Sequence, residues 1–174
     1  MNELILGGAR SGKSALAEQL ALESAMDVIY LATATAGDGE MSERINQHQQ
    51  RRPLHWQLLE EPVELATTLQ SHAADNRLIL VDCLTLWLSN LLAKESDELF
   101  LQQRAGLLEV MPSLSGHIIF VSNEVGMGIV PMGELTRRFV DEAGRLHQDL
   151  AKICDRVTLV VAGLPQVLKG EPLE

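Results

Sequence analysis

Five short runs of the chain are apolar at nearly every position: Glu3–Leu6, Val28–Thr33, Leu78–Asp82, His117–Ser122 and Val157–Ala162. Val, Ile and Leu dominate them, the pattern of strands covered on both faces. Between the runs, apolar residues recur at helical spacing. This predicts helices over Ser14–Ala25, Glu40–Arg52, Val63–Ala73, Leu84–Lys94, Leu99–Met111 and Glu134–Cys154. Alternating strands and helices imply right-handed crossovers and an α/β fold, three layers around a mostly parallel central sheet. No repeat, low-complexity tract or Pro/Ser-rich linker interrupts the pattern, so residues 1–174 are expected to form a single domain. In such a sheet ligands sit beyond the carboxyl ends of the strands, and the loops there are where chemistry is sought.

Length and composition agree with that picture. A chain of 174 residues buries roughly 70% of its unfolded surface on folding, enough for a core without a disulfide or metal staple. The two cysteines, Cys83 and Cys154, each lie beside an apolar run and form no close pair, so both are read as buried reduced thiols. The longest apolar stretch, Leu78 to Ala93, is broken by Asp82 and Asn90 and is too short to span a bilayer. The first residues lack a signal peptide's basic start and long apolar middle, so a cytoplasmic location without membrane insertion is expected. Fourteen Lys/Arg against 24 Asp/Glu give a net charge of −10, which argues against nucleic acid as a partner. A phosphate ligand would therefore need a local cationic cluster.

The loop after the first strand supplies one. Gly7-Gly8-Ala9-Arg10-Ser11-Gly12-Lys13-Ser14 matches G-x-x-x-x-G-K-[ST] between a strand and a helix, so the fold is expected to be P-loop NTPase-like. Glycines let successive N–H groups turn around a phosphate, and the helix N-terminus adds partial positive charge. Lys13 is expected to reach the β- and γ-phosphates, with the Ser14 hydroxyl on Mg²⁺. A partner carboxylate is expected at the end of a neighbouring strand, and Asp82 closes the run Leu78–Asp82. There it would complete the metal shell with Ser14, or simply cap the next helix.

Within Glu40–Trp56, Arg44, His48 and Arg52 recur every four residues and would share a helix face, with Arg51 beside it. A neutral imidazole can attack phosphorus while arginines neutralise the phosphate oxygens. Judged by spacing alone, an ordinary solvated helix with an incidental histidine is the stronger reading. His55, His72, His117 and His147 show no metal-ligand spacing and are read as surface or structural.

Three segments together resemble a known family. They are the run Gly7–Ser14, the segment Arg44-x-x-x-His48-x-x-Arg51-Arg52-Pro53-x-x-Trp56 followed by Glu60, and Val121-Ser122-Asn123-Glu124-Val125-Gly126-Met127-Gly128-Ile129-Val130-Pro131. They look like the bifunctional adenosylcobinamide kinase / adenosylcobinamide-phosphate guanylyltransferase family of cobalamin biosynthesis, and the likeness runs to Ala162-Gly163-Leu164-Pro165. The resemblance implies two reactions. ATP or GTP phosphorylates the aminopropanol hydroxyl of adenosylcobinamide. GTP then passes GMP to His48 and on to adenosylcobinamide phosphate, giving adenosylcobinamide-GDP and pyrophosphate. It further implies GTP contacts from Ala32, Thr33, Ala34, Gln49, Gln50, Arg51, Arg52, Glu60 and Asp82, and a homotrimer. Two positions depart from the family pattern: His147 stands where Asn is usual, and Gln49 where Arg is frequent. The loop Asn123–Pro131 is read as part of the corrinoid or nucleotide pocket or as a structural loop, with Gly126 and Gly128 permitting tight turns or close backbone approach.

Three other readings share the phosphate loop. A guanylyltransferase alone would lack the kinase step, and a plain small-molecule kinase would form no covalent enzyme adduct. A GTP-operated switch would need a guanine-reading Asn-Lys-x-Asp motif, which the chain does not contain.

Overall fold

The computed structural model describes residues 1–34, 53 and 55–173. Among these residues seven strands form one sheet: β1 (Asn2–Gly7), β2 (Asp27–Ala32), β3 (Gln57–Glu60), β4 (Arg77–Asp82), β5 (His117–Asn123), β6 (Arg156–Val161) and β7 (Leu164–Lys169). Their spatial order is β3-β2-β4-β5-β1-β6-β7. Six run parallel, and β7 turns back antiparallel to β6. The helices are α1 (Lys13–Glu23), α2 (Leu65–His72), α3 (Leu84–Ala93), α4 (Asp97–Val110) and α5 (Glu134–Ile153), with a 3₁₀ turn at Met111–Ser113.

Alternation along the strands sends neighbouring side chains to opposite faces. Leu4, Ile79, Val81, Ile118 and Phe120 pack with Leu65, Trp87, Leu107 and Leu146, so α2 to α5 cover one face. Ile5, Tyr30, Leu80, Ile119 and Val121 pack with Ala17 and Ala21, so α1 covers the other. Trp87 is fully buried, and its indole N–H donates to the Val63 carbonyl at 2.9 Å, joining α3 to the segment ahead of α2. The three layers and the mostly parallel sheet expected from the pattern are present.

The five expected strands all form, and β3 and β7 are additions. Both are edge strands with mostly exposed side chains, and β7 contains Pro165, so neither presents the continuous apolar run of an interior strand. Helix α4 begins at Asp97, two residues ahead of expectation. The Ser96 hydroxyl caps it by accepting from the Leu99 N–H at 3.2 Å, with Asp97 and Glu98 in the first turn. Cys83 and Cys154 are free and buried, and burial pushes their thiols up to about 11 and about 12. The helix expected over 40–52 lies outside the described residues. No described helix is long and apolar enough to cross a membrane.

Candidate functional site

Parallel register brings the carboxyl ends of six strands, β1 to β6, into one row. Ala32 pairs with both Glu60 and Asp82, while Gly7 pairs with Asn123 on one side and Val160 on the other. The segment Gly7–Ser14, Ala32–Ala34, Glu60 and Asp82 therefore all stand at one edge of the sheet. His48, Gln49, Gln50, Arg51 and Arg52, with Arg44, lie outside the described residues.

The phosphate loop leaves β1 where only glycine fits. A Cβ on Gly7 would lie 2.4 Å from the Ser11 hydroxyl and 2.6 Å from the Val160 carbonyl. The loop then bends back, with the Ser11 N–H donating to the Gly8 carbonyl at 3.2 Å. Arg10 and Gly12 take left-handed backbone, φ 56° and 100°, and Gly12 caps α1 from that conformation. A second segment clamps the loop. In the turn between β6 and β7, the Gly163 N–H donates to the Ser11 carbonyl at 2.8 Å, and a Cβ on Gly12 would lie 3.2 Å from the Gly163 Cα.

The side chains in this loop are set for an anion. The Ser11 hydroxyl is buried and has no hydrogen-bond partner among the described residues, and open space lies where Gly8 would carry a Cβ. An orphaned donor is costly unless a ligand satisfies it. Lys13 is buried, and its ammonium donates to the Gly8 carbonyl at 3.1 Å, closing the loop on itself. Burial lowers the Lys13 pKa from its usual value, while the charge of Asp82 acts in the opposite direction. The α1 N-terminus also points its unpaired N–H groups into this region.

Asp82 is held rather than loose. Its Oδ2 accepts from the Tyr30 hydroxyl at 2.6 Å, and its electrostatic influence on Lys13 places it at the phosphate loop. A serine hydroxyl and a carboxylate are hard oxygen donors suited to Mg²⁺, which is commonly held by one or two protein groups plus phosphate oxygens and water. Among the described residues, no group of three or more His, Cys, Asp or Glu is placed to hold a metal ion. Thr33 is tied into the fold through its side chain. Its buried hydroxyl donates to the Cys83 carbonyl at 2.7 Å and accepts from the Cys83 N–H at 2.9 Å, locking the end of β2 to the turn after Asp82. Asn90 of α3 donates to the Thr33 carbonyl at 2.7 Å from the other side.

Two further features of the edge escape a reading of the sequence. One is the Ala162–Gly163 clamp, where both residues have positive φ, and only the glycine carries a hint of it. The other is a polar relay beneath the loop after β5. His147 of α5 is buried, with Nε2 2.7 Å from the Ser122 hydroxyl, which is itself 3.4 Å from the Thr85 hydroxyl. Thr85 Oγ1 accepts from the Asn123 N–H at 2.8 Å, and the Glu124 N–H donates to the Gly7 carbonyl at 3.0 Å. His147 is thus structural in placement, and its partner Ser122 lies two residues before Glu124, whose N–H bonds Gly7. Beyond the relay, Met127, Ile129, Val130, Met132 and Leu135 are exposed, and a cavity of about 210 Å³ separates this loop from the first turns of α5.

Residues 3–168 match the family described as cobinamide kinase / cobinamide phosphate guanyltransferase. A Pseudomonas aeruginosa protein named bifunctional adenosylcobalamin biosynthesis protein CobP is 61% identical over 173 residues, covering 99% of this chain and 100% of that one. The Escherichia coli K12 protein named bifunctional adenosylcobalamin biosynthesis protein CobU is 38% identical, covering 95% and 98%. Among solved structures, the chain resembles the assembled ATPase EscN of enteropathogenic E. coli, with TM-score 0.59, 17% identity and coverage of 100% of this chain and 47% of that one. It also resembles the RadB recombinase, with TM-score 0.53, 18% identity and coverage of 91% and 73%. At such identities the two structures speak for the P-loop fold alone.

Proposed function

Because the chain belongs to the cobinamide kinase / cobinamide phosphate guanyltransferase family, we propose how its residues divide that family's two reactions. The phosphate loop Gly7–Ser14 holds the triphosphate in both. Its N–H groups and the Ser11 hydroxyl bind the phosphate oxygens, and Lys13 leaves the Gly8 carbonyl to follow the β- and γ-phosphates. Mg²⁺, held by Ser14 and Asp82, neutralises charge on the phosphates when bound. The observation that carries this reading is the buried, unpartnered Ser11 hydroxyl inside a glycine cradle with Lys13 parked at its mouth.

In the first reaction, the aminopropanol hydroxyl of adenosylcobinamide takes the γ-phosphoryl group from ATP or GTP. Positioning and charge neutralisation supply most of such a rate enhancement. In the second, His48 attacks the α-phosphorus of GTP, pyrophosphate leaves, and the GMP moves from the histidine to adenosylcobinamide phosphate. A phosphoramidate is energetic enough to pass its group onward, which suits a transfer between two phosphorylated partners. Gln49, Gln50, Arg51 and Arg52 accompany His48 at the nucleotide, and Ala32–Ala34 and Glu60 line its far side. We place the enzyme in the cytoplasm as a homotrimer. The exposed apolar run from Met127 to Leu135 gives such an assembly a surface to bury.

The test is to incubate the protein with GTP labelled at the α-phosphate. An acid-labile, base-stable protein adduct that disappears in His48→Ala supports the second reaction as written. Loss of GTP binding together with loss of the fold in His48→Ala would make that residue structural instead.

A further inference from the structure

The two reactions differ in what their acceptors must lose. An alcohol has to give up a proton as its oxygen bonds to phosphorus, whereas a phosphate acceptor is already ionised. The first reaction therefore calls for a proton-accepting group at the phosphate loop, and the second does not.

The described carboxylates at this edge differ in their commitments. Asp82 is bonded to Tyr30 and lies against Lys13. Glu61 accepts the N–H groups of Val63 and Glu64, at 2.8 and 2.7 Å, ahead of α2. Glu60 is on β3, separated from β4 by β2. Glu124 follows β5, the strand lying between β4, which ends in Asp82, and β1, which ends in the phosphate loop. Its own N–H is bonded to the Gly7 carbonyl.

The Glu124 side chain is also held in a defined place. Oε1 accepts the Gly126 N–H, and a Cβ at Gly126 would come within 3.0 Å of that oxygen, so the glycine leaves room for the carboxylate. Oε2 lies 4.0 Å from His147 Nδ1. Among the described residues, no Lys or Arg pairs with Glu124. Behind it, His147 is fixed by Ser122. Burial lowers the pKa of this imidazole, while Glu124 acts to raise it.

We propose that Glu124 takes the proton of the acceptor hydroxyl in the phosphorylation step, with His147 and the Gly126 N–H as the groups that position it. As the hydroxyl oxygen bonds to the γ-phosphorus, the bond from that phosphorus to the β–γ bridging oxygen breaks. The nucleoside diphosphate leaves with the electron pair, and the proton passes to the Glu124 carboxylate and then to water. The proposal rests on the phosphate loop being the shared nucleotide site.

The two activities of one enzyme provide the control. Glu124→Gln is expected to lower kcat for adenosylcobinamide phosphorylation about 100-fold, within the usual range for a general base. KM for the nucleotide should be unchanged, and guanylyl transfer to adenosylcobinamide phosphate should stay within about twofold of the parent. Glu124→Asp should recover part of the lost kcat. His147→Ala should lower the same kcat about tenfold, and His147→Gln, which can still reach Ser122, should recover most of it. Parallel loss of both activities in Glu124→Gln, or an unchanged phosphorylation rate, would overturn the proposal. Failure of the parent protein to bind nucleotide at the phosphate loop, measured by calorimetry with the Lys13→Ala control, would instead overturn the site on which it rests.

Discussion

Strands β1, β5 and β6 lie side by side, and their two ends are built on opposite principles. At the amino ends every strong charge is matched. Glu3 is 1% exposed, and Arg156 grips it with Nε on Oε2 at 2.7 Å and Nη2 on Oε1 at 2.8 Å, while His117 Nε2 also lies 2.7 Å from Oε1. The chain's first ammonium donates to the Gly116 carbonyl at 2.6 Å, and the Asn2 N–H donates to Asp155 at 2.7 Å. At the carboxyl ends a buried serine hydroxyl has no partner among the described residues, a lysine is buried against a backbone carbonyl, and glycines hold space open. One end is tied by ion pairs, and the other leaves room beside its glycines. A sheet can tolerate an unsatisfied edge when its opposite edge and its core supply the stability.

Substitutions at the two ends should therefore separate stability from activity. Arg156→Ala strips the cation from a buried carboxylate and should cost about 3–5 kcal/mol in urea unfolding, with nucleotide binding intact while the protein remains folded. Lys13→Ala should do the reverse. Both activities should fall about 10²–10³-fold, the usual cost of removing one preorganised charge-stabilising donor, with little change in melting temperature.

Acid should act through the matched end. Burial pushes the Glu3 carboxyl up, but the hydrogen bonds from His117 and Arg156 and the charge of Arg156 outweigh it, so its pKa lies below the ordinary 4.5. A depressed carboxylate contributes stability that is present above the unfolded value and lost as pH falls through the folded one. Melting temperature measured below pH 4.5 should fall more steeply in the parent than in Glu3→Gln.

The smallest effect is expected at Lys169. Its ammonium caps the end of α5 by donating to the carbonyls of Ala151, Lys152 and Cys154 at 2.9, 3.1 and 2.6 Å. Lys169→Ala should destabilise by about 1 kcal/mol, readable in the same urea titration, without altering either activity.

How legible each end was in the sequence follows from the range of the interactions that build it. The phosphate loop and Asp82 stand out because local spacing and a strand's last residue define them. The five interior strands are equally plain, since covering both faces demands continuous apolar runs. Edge strands β3 and β7 have no such demand on their sequence. Glu3 reads as the polar margin of a strand, and its burial depends on Arg156 arriving from 153 residues away. The contact of His147 with Ser122 likewise spans 25 residues, and only the packing of α5 against β5 brings them together. The Ala162–Gly163 clamp arises because β6 happens to neighbour β1. Local chemistry was readable; what supports it was set by sheet order.

The most direct test of the account is the state of the protein after exposure to Mg²⁺ and GTP labelled at the α-phosphate, without a corrinoid. The account predicts one covalently bound GMP, lost on acid treatment, stable to base, and absent in both His48→Ala and Lys13→Ala. Bound GTP with no covalent adduct in the parent protein would contradict it, leaving a phosphate loop that serves phosphorylation and a guanylyl transfer that does not pass through His48.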